Sequence, residues 1–545
     1  RPRRFGKTMN MNMLHCFLRA PEVFAPKGST KPQHNKKENQ DLFDGLEISR
    51  AGEAYQLERG KRPVLFISFR TVKEMNWDDA WIRMRSLLSS LAQETSQGAP
   101  VDKLLPTKQR ILQEMCAEKI NPADCESILR IITELLMLKH NGMTPWVLID
   151  EYDAPMQAAY QYDYYKPMRN LMKGLLGDCL KDSDFLHKAV ITGIVRVAKE
   201  DIFSDLNNLG VYGVLQDRFA SCFGFTHSEV KGLLALREAD DHLAAVRTWY
   251  NGYRIGIDRA VTVYNPWSLI NHLANLTQIP QPYWVNTSTN HLVHELLSRA
   301  DITVKQGLHQ LLDPAGDHTT TQTVCEYVPL RDVERKAENL WGLLLAAGYL
   351  TAAGMTGSPD NLDKIVHLRI PNDEVRRVYG DLVNRWLRGG EAGGGRGMEL
   401  LDALVAGEVE VFAGRFERLV LTSMSYFDPG GGEPERFYHG FILGIMQHLR
   451  DRYIVDSQRE SGLGRYDLAL EPRDKTKLGF VLEFKSCIRE SDSLSETAQT
   501  ALQQIQDKHY HVHLMERGVK TVIALGLAFK GKQATVAHAT LTKAD

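Results

Sequence analysis

Cysteine is scarce in this sequence: seven residues in 545 (Cys16, Cys116, Cys125, Cys179, Cys222, Cys325 and Cys487), odd in number, scattered, and never spaced as Cys-x-x-Cys. This pattern excludes a disulfide framework and a cysteine zinc cluster. It suits reduced, mostly packed thiols in a reducing, intracellular compartment such as the cytoplasm. No apolar run approaches the roughly 18 to 20 residues that span a bilayer, and no signal peptide is visible, so no membrane partner is expected. Charge of one sign is not in excess either, since 66 Lys and Arg against 68 Asp and Glu give a formal net charge of -2. A globally basic nucleic-acid coat is excluded, whereas a basic groove confined to one domain is not. An initial Met is also missing. The opening Arg1-Pro2-Arg3-Arg4-Phe5-Gly6-Lys7-Thr8 reads as the middle of a motif, so the chain is expected to be truncated at its N-terminus, and any targeting signal that preceded Arg1 is not visible in it.

What is present is an ordinary globular composition, 43% hydrophobic and 25% charged, long enough for two to four domains. Met9, Met13, Leu14 and Leu18 recur at helical spacing after Thr8. A buried strand is expected within Arg62 to Arg70, helices over Trp77 to Thr95 and Lys108 to His140, and further strands at Trp146 to Ile149 and Ala189 to Thr192. Strands alternating with long helices predict an α/β module built on a parallel sheet. From Thr226 to about Leu387 the pattern reads as mostly helical, broken by the turn-like Tyr250-Asn251-Gly252-Tyr253 and Tyr264-Asn265-Pro266. The glycine-rich Arg388 to Gly397 is read as a hinge or loop. Beyond it, strands are expected at Tyr466 to Leu470, Gly479 to Phe484 and Val519 to Leu525, with a helix between the last two. The domains are therefore placed at 1–225, 226–387 and 398–545.

A phosphate loop needs backbone N–H groups around phosphate oxygens, a Lys for the outer phosphates and a hydroxyl for magnesium. Gly6-Lys7-Thr8 supplies the last part, but the usual first Gly falls at Arg1. So short a match recurs by chance unless a partner motif accompanies it. Val147-Leu148-Ile149-Asp150-Glu151 is that partner, an apolar strand ending in two carboxylates. Asp150 is assigned to the magnesium shell together with Thr8, and Glu151 to the attacking water. Asp153 is read either as a cap of the following segment or as a chemical group.

The second constellation is a hairpin between Gly462 and Lys485. With its turn centred near Lys475, Asp467 lies across from Glu483. Glu483 and Lys485, two apart, share one sheet face, and Phe484 points the other way. Paired carboxylates are most comfortable around a hard cation, and the adjacent Lys can orient water or stabilise charge as a phosphodiester is cut. The competing reading is a solvated hairpin with cross-strand salt bridges. Val481, Leu482 and Phe484 argue against it, because charge within a core strand is costly. Upstream, Glu435 opens a helix and shares a face with His439, which is read as structural because no second His has ligand spacing with it. Downstream, Gln504 is placed on the helix after the second strand, facing the same site.

Together these residues resemble the AAA-ATPase-like proteins that carry a C-terminal PD-(D/E)XK nuclease-superfamily domain. The resemblance also rests on Ile202 to Leu209, Tyr250 to Tyr253, Tyr264 to Pro266, Gly348 to Thr351, Ile370 to Asn372, Tyr438-His439 and Gly464 to Asp467, so it covers nearly the whole chain. In that family the phosphate loop reads R-P-R-R-F-G-K-[ST], which makes Arg1 a family trait. The resemblance implies a P-loop NTPase-like parallel sheet, a helical middle region and a PD-(D/E)XK nuclease-like α/β domain. It implies ATP at Gly6, Lys7, Thr8 and Asp150, with Arg196 placed loosely as a phosphate sensor, and Glu151 at the Walker B end. It implies a nuclease site of Glu435, Asp467, Glu483, Lys485 and Gln504, with Mg2+ or Mn2+ on Glu435, Asp467 and Glu483. The strand that should precede the phosphate loop is absent from the sequence. The expected partner is nucleic acid, DNA ahead of RNA, and a homo-oligomer is expected by analogy alone. The leading expectation is an ATP-binding, metal-dependent nuclease gated by nucleotide. The alternatives are a nucleotide-dependent switch or scaffold with a non-cutting nuclease fold, and an ATPase whose C-terminal domain is structural.

Overall fold

The computed structural model describes the chain apart from residues 21–41, 195–201, 204–208, 277–279, 285–290, 301–303, 305–306, 309, 312–317, 329–331, 334, 357–362, 380–395, 424–441, 443–445, 447–448, 450, 458–459, 462–463, 488–490, 531–532 and 543–545. Helix α1 (Lys7–Leu18) is followed by three parallel strands, β1 (Val64–Ser68), β2 (Trp146–Asp150) and β3 (Lys188–Ile191). They form a sheet of order β1-β2-β3, in register Ser68↔Asp150 and Ile149↔Ile191. The central strand β2 is buried over Val147 to Asp150, while Lys188 and Ala189 on the edge strand β3 are exposed. Helices α2 (Trp77–Ser96), α3 (Pro106–Cys116), α4 (Ile128–Lys139), α5 (Ala154–Gln161) and α6 (Tyr165–Leu180) pack into the same core. Of the parallel sheet expected here, the described residues show three strands, an α/β arrangement common to many folds.

The single helix expected over 108–140 is broken. Asn121 caps a new start at Asp124 N (2.9 Å), with Pro122 in the first turn. Proline lacks the amide and disfavours helical backbone in the residue before it, so the break is local chemistry. The mostly helical reading of 226–387 also needs correction. Besides α7 (His227–Ala235), α8 (Leu243–Tyr250), α9 (Pro266–Ala274) and α10 (Ala337–Ala347), the region holds a hairpin of β4 (Tyr253–Ile255) and β5 (Val261–Val263). It also holds an antiparallel sheet of β6 (Thr319–Cys325), β7 (Thr351–Thr356) and β8 (Asp363–Arg369), in the order β6-β8-β7. Strand β6 is rich in Thr, β7 in Ala and Thr, and β8 mixes charged and apolar residues, so the period-2 signal is faint against the surrounding helices.

One hydrophobic cluster runs from Phe5 to Tyr379, so the middle region and the three-stranded sheet share a core. The motif segments of the middle region meet one another there. Gly252 has φ +97°, and a Cβ on it would collide with the Pro371 carbonyl, a position only glycine fills. Asn372 Nδ2 donates to Asn251 O (2.7 Å), Asn265 N to Tyr250 O (2.9 Å), and Arg254 N to Thr351 Oγ1 (2.8 Å).

The C-terminal sheet has five strands: β9 (Tyr453–Ser457), β10 (Leu468–Pro472), β11 (Gly479–Ser486), β12 (Thr521–Lys530) and β13 (Gln533–Thr542), in the order β13-β12-β11-β10-β9. Only β11 and β12 are parallel, joined through α13 (Leu494–Asp507). Alternation divides β11 cleanly. Phe480, Leu482 and Phe484 face a core with Phe412 and Phe416 of α12 (Val409–Ser423), which follows α11 (Arg396–Ala406). Val481 faces Leu502 and Ile505 of α13. Arg396 and Gly397, expected in the hinge, open α11, and 388–395 lie outside the described residues.

No disulfide joins the seven cysteines, all of which lie among the described residues. Burial pushes the Cys125 and Cys179 thiols up to about 12 and about 11, so these two are packed and unreactive. Among the described residues no helix is long and apolar enough to cross a membrane.

Glu374, fully buried, accepts from Ser268 Oγ (2.9 and 2.8 Å) and Trp284 N (2.8 Å). Burial raises its carboxyl from 4.5 to about 7 despite these donors. The folded state therefore binds more protons than the unfolded chain between those values. Stability from this group is complete below pH 4.5 and is lost as pH rises through 7, by about 3 kcal/mol. Denaturant melts of Glu374→Gln against wild type should move in the variant's favour by about that amount from pH 4.5 to 7.5. A difference that stays constant with pH contradicts the assignment.

Candidate functional site

The phosphate loop turns through two left-handed residues, Arg4 (φ 66°) and Gly6 (φ 71°), before α1 begins at Lys7. Lys7 Nζ donates to the carbonyls of Arg1 (3.0 Å) and Pro2 (2.8 Å), so the loop closes around its ammonium. Burial lowers Lys7 to about 8, opposed by Asp153 and Glu151 and assisted by Arg3. Thr8 Oγ1 donates to Asp150 Oδ2 (2.8 Å), and Asp150 is fully buried. Gly6, Lys7, Thr8 and Asp150 are thus brought together, with the hydroxyl and carboxylate of the expected magnesium pair in contact. Glu151 follows at φ 49°, a left-handed conformation that is strained for a glutamate and recurs at functional positions.

The loop is seated by the middle region. Phe5 packs edge-on against Tyr253 (centroids 5.0 Å apart), and the Pro2 ring lies 2.6 Å from where a Cβ on Gly348 would stand. The Arg1 guanidinium donates to the carbonyls of Gly213 (3.0 Å), Phe219 (2.5 Å) and Cys222 (3.3 Å). Arg4 lies over the Trp267 ring at 4.4 Å. Asp153 is N-terminal to α5 but makes no side-chain cap; its Oδ2 accepts from Gln157 Nε2 (2.7 Å) and Ile194 N (3.0 Å).

In the C-terminal sheet the pairs Leu468↔Leu482 and Leu470↔Phe480 centre the hairpin on Lys475 and put Asp467 opposite Glu483. The Phe484 amide donates to Asp467 Oδ2 (2.8 Å), which fixes that carboxylate against β11. Glu483 is buried and accepts from Gln504 Nε2 of α13. Lys485 follows on the same face, half-buried. Asp467, Glu483, Lys485 and Gln504 are thereby collected on one side of β11. Arg196, Glu435 and His439 lie outside the described residues.

Several contributors escaped sequence reading. Thr192 Oγ1 (2.6 Å) and Ser68 Oγ (3.5 Å) also donate to Asp150. Both sit level with Asp150 at the ends of the flanking strands, so strand register was the available signal. Tyr510 lies beside Gln504, its hydroxyl 3.5 Å from Nε2, and burial, with Glu483 and Asp467, pushes its phenol up. Gly526 pairs with Glu483 across β12, and a Cβ there would collide with Ala498 O and Leu502 N of α13. A lone glycine inside the apolar run Ala524-Leu525-Gly526-Leu527 marks this close approach.

Comparison with known families accords with these two centres. Residues 1–203 match the AAA-ATPase-like family model, described as a predicted AAA-ATPase, and residues 433–539 match the PD-(D/E)XK nuclease superfamily. The chain carries an AAA-ATPase-like domain and a PD-(D/E)XK nuclease-superfamily domain. No curated protein and no solved structure matches it.

Because Gly526 lets α13 lie against the strand beside Glu483, Gly526→Val should lift the helix and separate Gln504 from Glu483. Overpacking of this kind costs about 1 to 3 kcal/mol. A melting temperature equal to wild type, with α13 amide protons equally protected in hydrogen exchange, would show that the helix does not depend on this glycine.

Proposed function

We propose that this chain binds ATP with magnesium at the phosphate loop and cuts phosphodiester bonds of nucleic acid, DNA in preference to RNA, at the C-terminal site, with nucleotide state gating the cut. The observation that carries the reading is the collection of Asp467, Glu483, Lys485 and Gln504 on one face of β11. Among the described residues no group of three or more His, Cys, Asp or Glu forms a metal cluster. Two carboxylates still fit a hard cation that keeps several waters and shares the substrate's phosphate, as Mg2+ does. Asp467 and Glu483 would hold the ion, with Glu435 as the third ligand implied by resemblance. When bound, Mg2+ or Mn2+ lowers the pKa of a water and neutralises phosphate charge.

The chain's own groups do the rest. The Phe484 amide holds Asp467 in place, and Gln504 holds Glu483, so neither carboxylate must reorganise when charge develops. Lys485, one pleat further along, carries the positive charge that orients the attacking water or stabilises the phosphorane-like oxygen. At the other centre Lys7 sits where outer phosphates would replace the Arg1 and Pro2 carbonyls, Thr8 and Asp150 would hold magnesium's water shell, and Glu151 would orient water.

Lys485→Ala and Asp467→Asn should each lower cutting of plasmid and single-stranded DNA about 100-fold or more. Chelation should abolish it, and adding ATP should change the wild-type rate. Cutting that survives both substitutions rejects the nuclease half, and binding without any cutting favours a switch or scaffold.

Phosphate beside Lys7 would raise its pKa from about 8 toward the ordinary 10.5, so nucleotide binding should take up protons between those pH values. Calorimetry at pH 9 in buffers of different ionisation enthalpy reads this directly. Uptake approaching one proton in wild type and none in Lys7→Met is expected, whereas equal uptake in both refutes it.

A further inference from the structure

Arg3 is the residue of the phosphate loop whose bonding is incomplete. Its Nη2 donates to Gln157 Oε1 (3.2 Å), but its Nε–H is sealed from solvent and has no acceptor among the described residues. A buried guanidinium N–H without an acceptor is costly, and it persists where a ligand completes it. Its surroundings specify the charge of that ligand. Lys7, another cation of the loop, stands close enough for the Arg3 charge to act on it, and its ammonium donates to the Arg1 and Pro2 carbonyls. Two cations in a loop at the start of a 12-residue helix can receive an anion, which would add to the Asp153 and Glu151 carboxylates that already act on both charges.

Position along the loop separates the two cations. Lys7 and Thr8 belong to the first turn of α1, and Thr8 touches Asp150, the metal side of the site. Arg3 lies four residues upstream and is fixed from the opposite direction. Gln157, its acceptor, donates to Asp153 Oδ2 (2.7 Å), and the same oxygen accepts from Ile194 N (3.0 Å) in the loop after β3. Asp153 and Glu151 both act on the Arg3 charge, so the guanidinium stands beside the end of β2 that carries the water-orienting glutamate. An anion that met both Lys7 in the first turn of α1 and Arg3 ahead of it would extend from the helix terminus toward α5, where Gln157 holds Arg3.

We propose that Arg3 contacts the outermost phosphate of a nucleoside triphosphate and discriminates it from a diphosphate, with Gln157 as the positioning residue that aims the guanidinium. The inference rests on the ATP-binding half of the function proposed above. It gives Asp153 a positional task, holding Gln157 and the loop after β3 in one hydrogen-bonded chain.

Calorimetric dissociation constants for a non-hydrolysable ATP analogue and for ADP, each with magnesium, test it in the full chain. Arg3→Ala should weaken the triphosphate about tenfold or more and the diphosphate less than about twofold. Arg3→Lys should recover part of the loss, because a point charge replaces a fork. Gln157→Ala should fall between wild type and Arg3→Ala, and it keeps the test open should Arg3→Ala fail to fold. Equal weakening of both nucleotides, or none, overturns the proposal while leaving ATP binding intact. Absence of binding by the wild-type chain overturns ATP binding and this inference together.

Discussion

A single buried carboxylate organises the N-terminal module. Asp150 ends the central strand out of reach of water and accepts from Thr8, Thr192 and Ser68. A charge in that position is tolerable only when its oxygens are hydrogen-bonded. The three hydroxyls come from three different elements: the first turn of α1, the residue after β3, and the end of β1. Satisfying one side chain therefore fixes the start of the phosphate-loop helix against the ends of the parallel strands. Residues more than 140 positions apart in sequence become one site by this route.

The loop ahead of that helix has a second support, supplied by motif segments of the middle region. Tyr250 to Tyr253, Tyr264 to Pro266, Gly348 to Thr351 and Ile370 to Asn372 are those segments. They bind one another through backbone and amide hydrogen bonds and offer Tyr253 and Gly348 to Phe5 and Pro2. Arg1 fastens the loop to three carbonyls of residues 213–222. A loop seated in this way cannot change shape without disturbing the middle region it packs against.

The C-terminal site handles buried charge differently. Asp467 is held by a backbone amide, Glu483 by a side-chain amide, and the helix bringing that amide is admitted by the missing side chain of Gly526. Packing and hydrogen bonds thus hold both carboxylates in place, Glu483 within β11 and Asp467 just before β10.

Much of this is legible in the sequence. The apolar run into Asp150-Glu151, the centring of a hairpin on Lys475, and the shared face of Glu483 and Lys485 follow from local periodicity, which depends only on backbone geometry. Gly6-Lys7-Thr8 and Gln504 were found because residue type limits chemistry. The β-strands of the middle region are not legible because β6 and β7 are rich in Thr or Ala and β8 mixes charged and apolar residues, so none carries a clear alternation. The partners of Asp150, the seat of the phosphate loop, the relay from Arg3 through Gln157 to Asp153 and the passage at Gly526 were set by the tertiary structure alone. Each joins segments with no sequence relation, and which side chain completes a buried charge is decided by which elements pack around it.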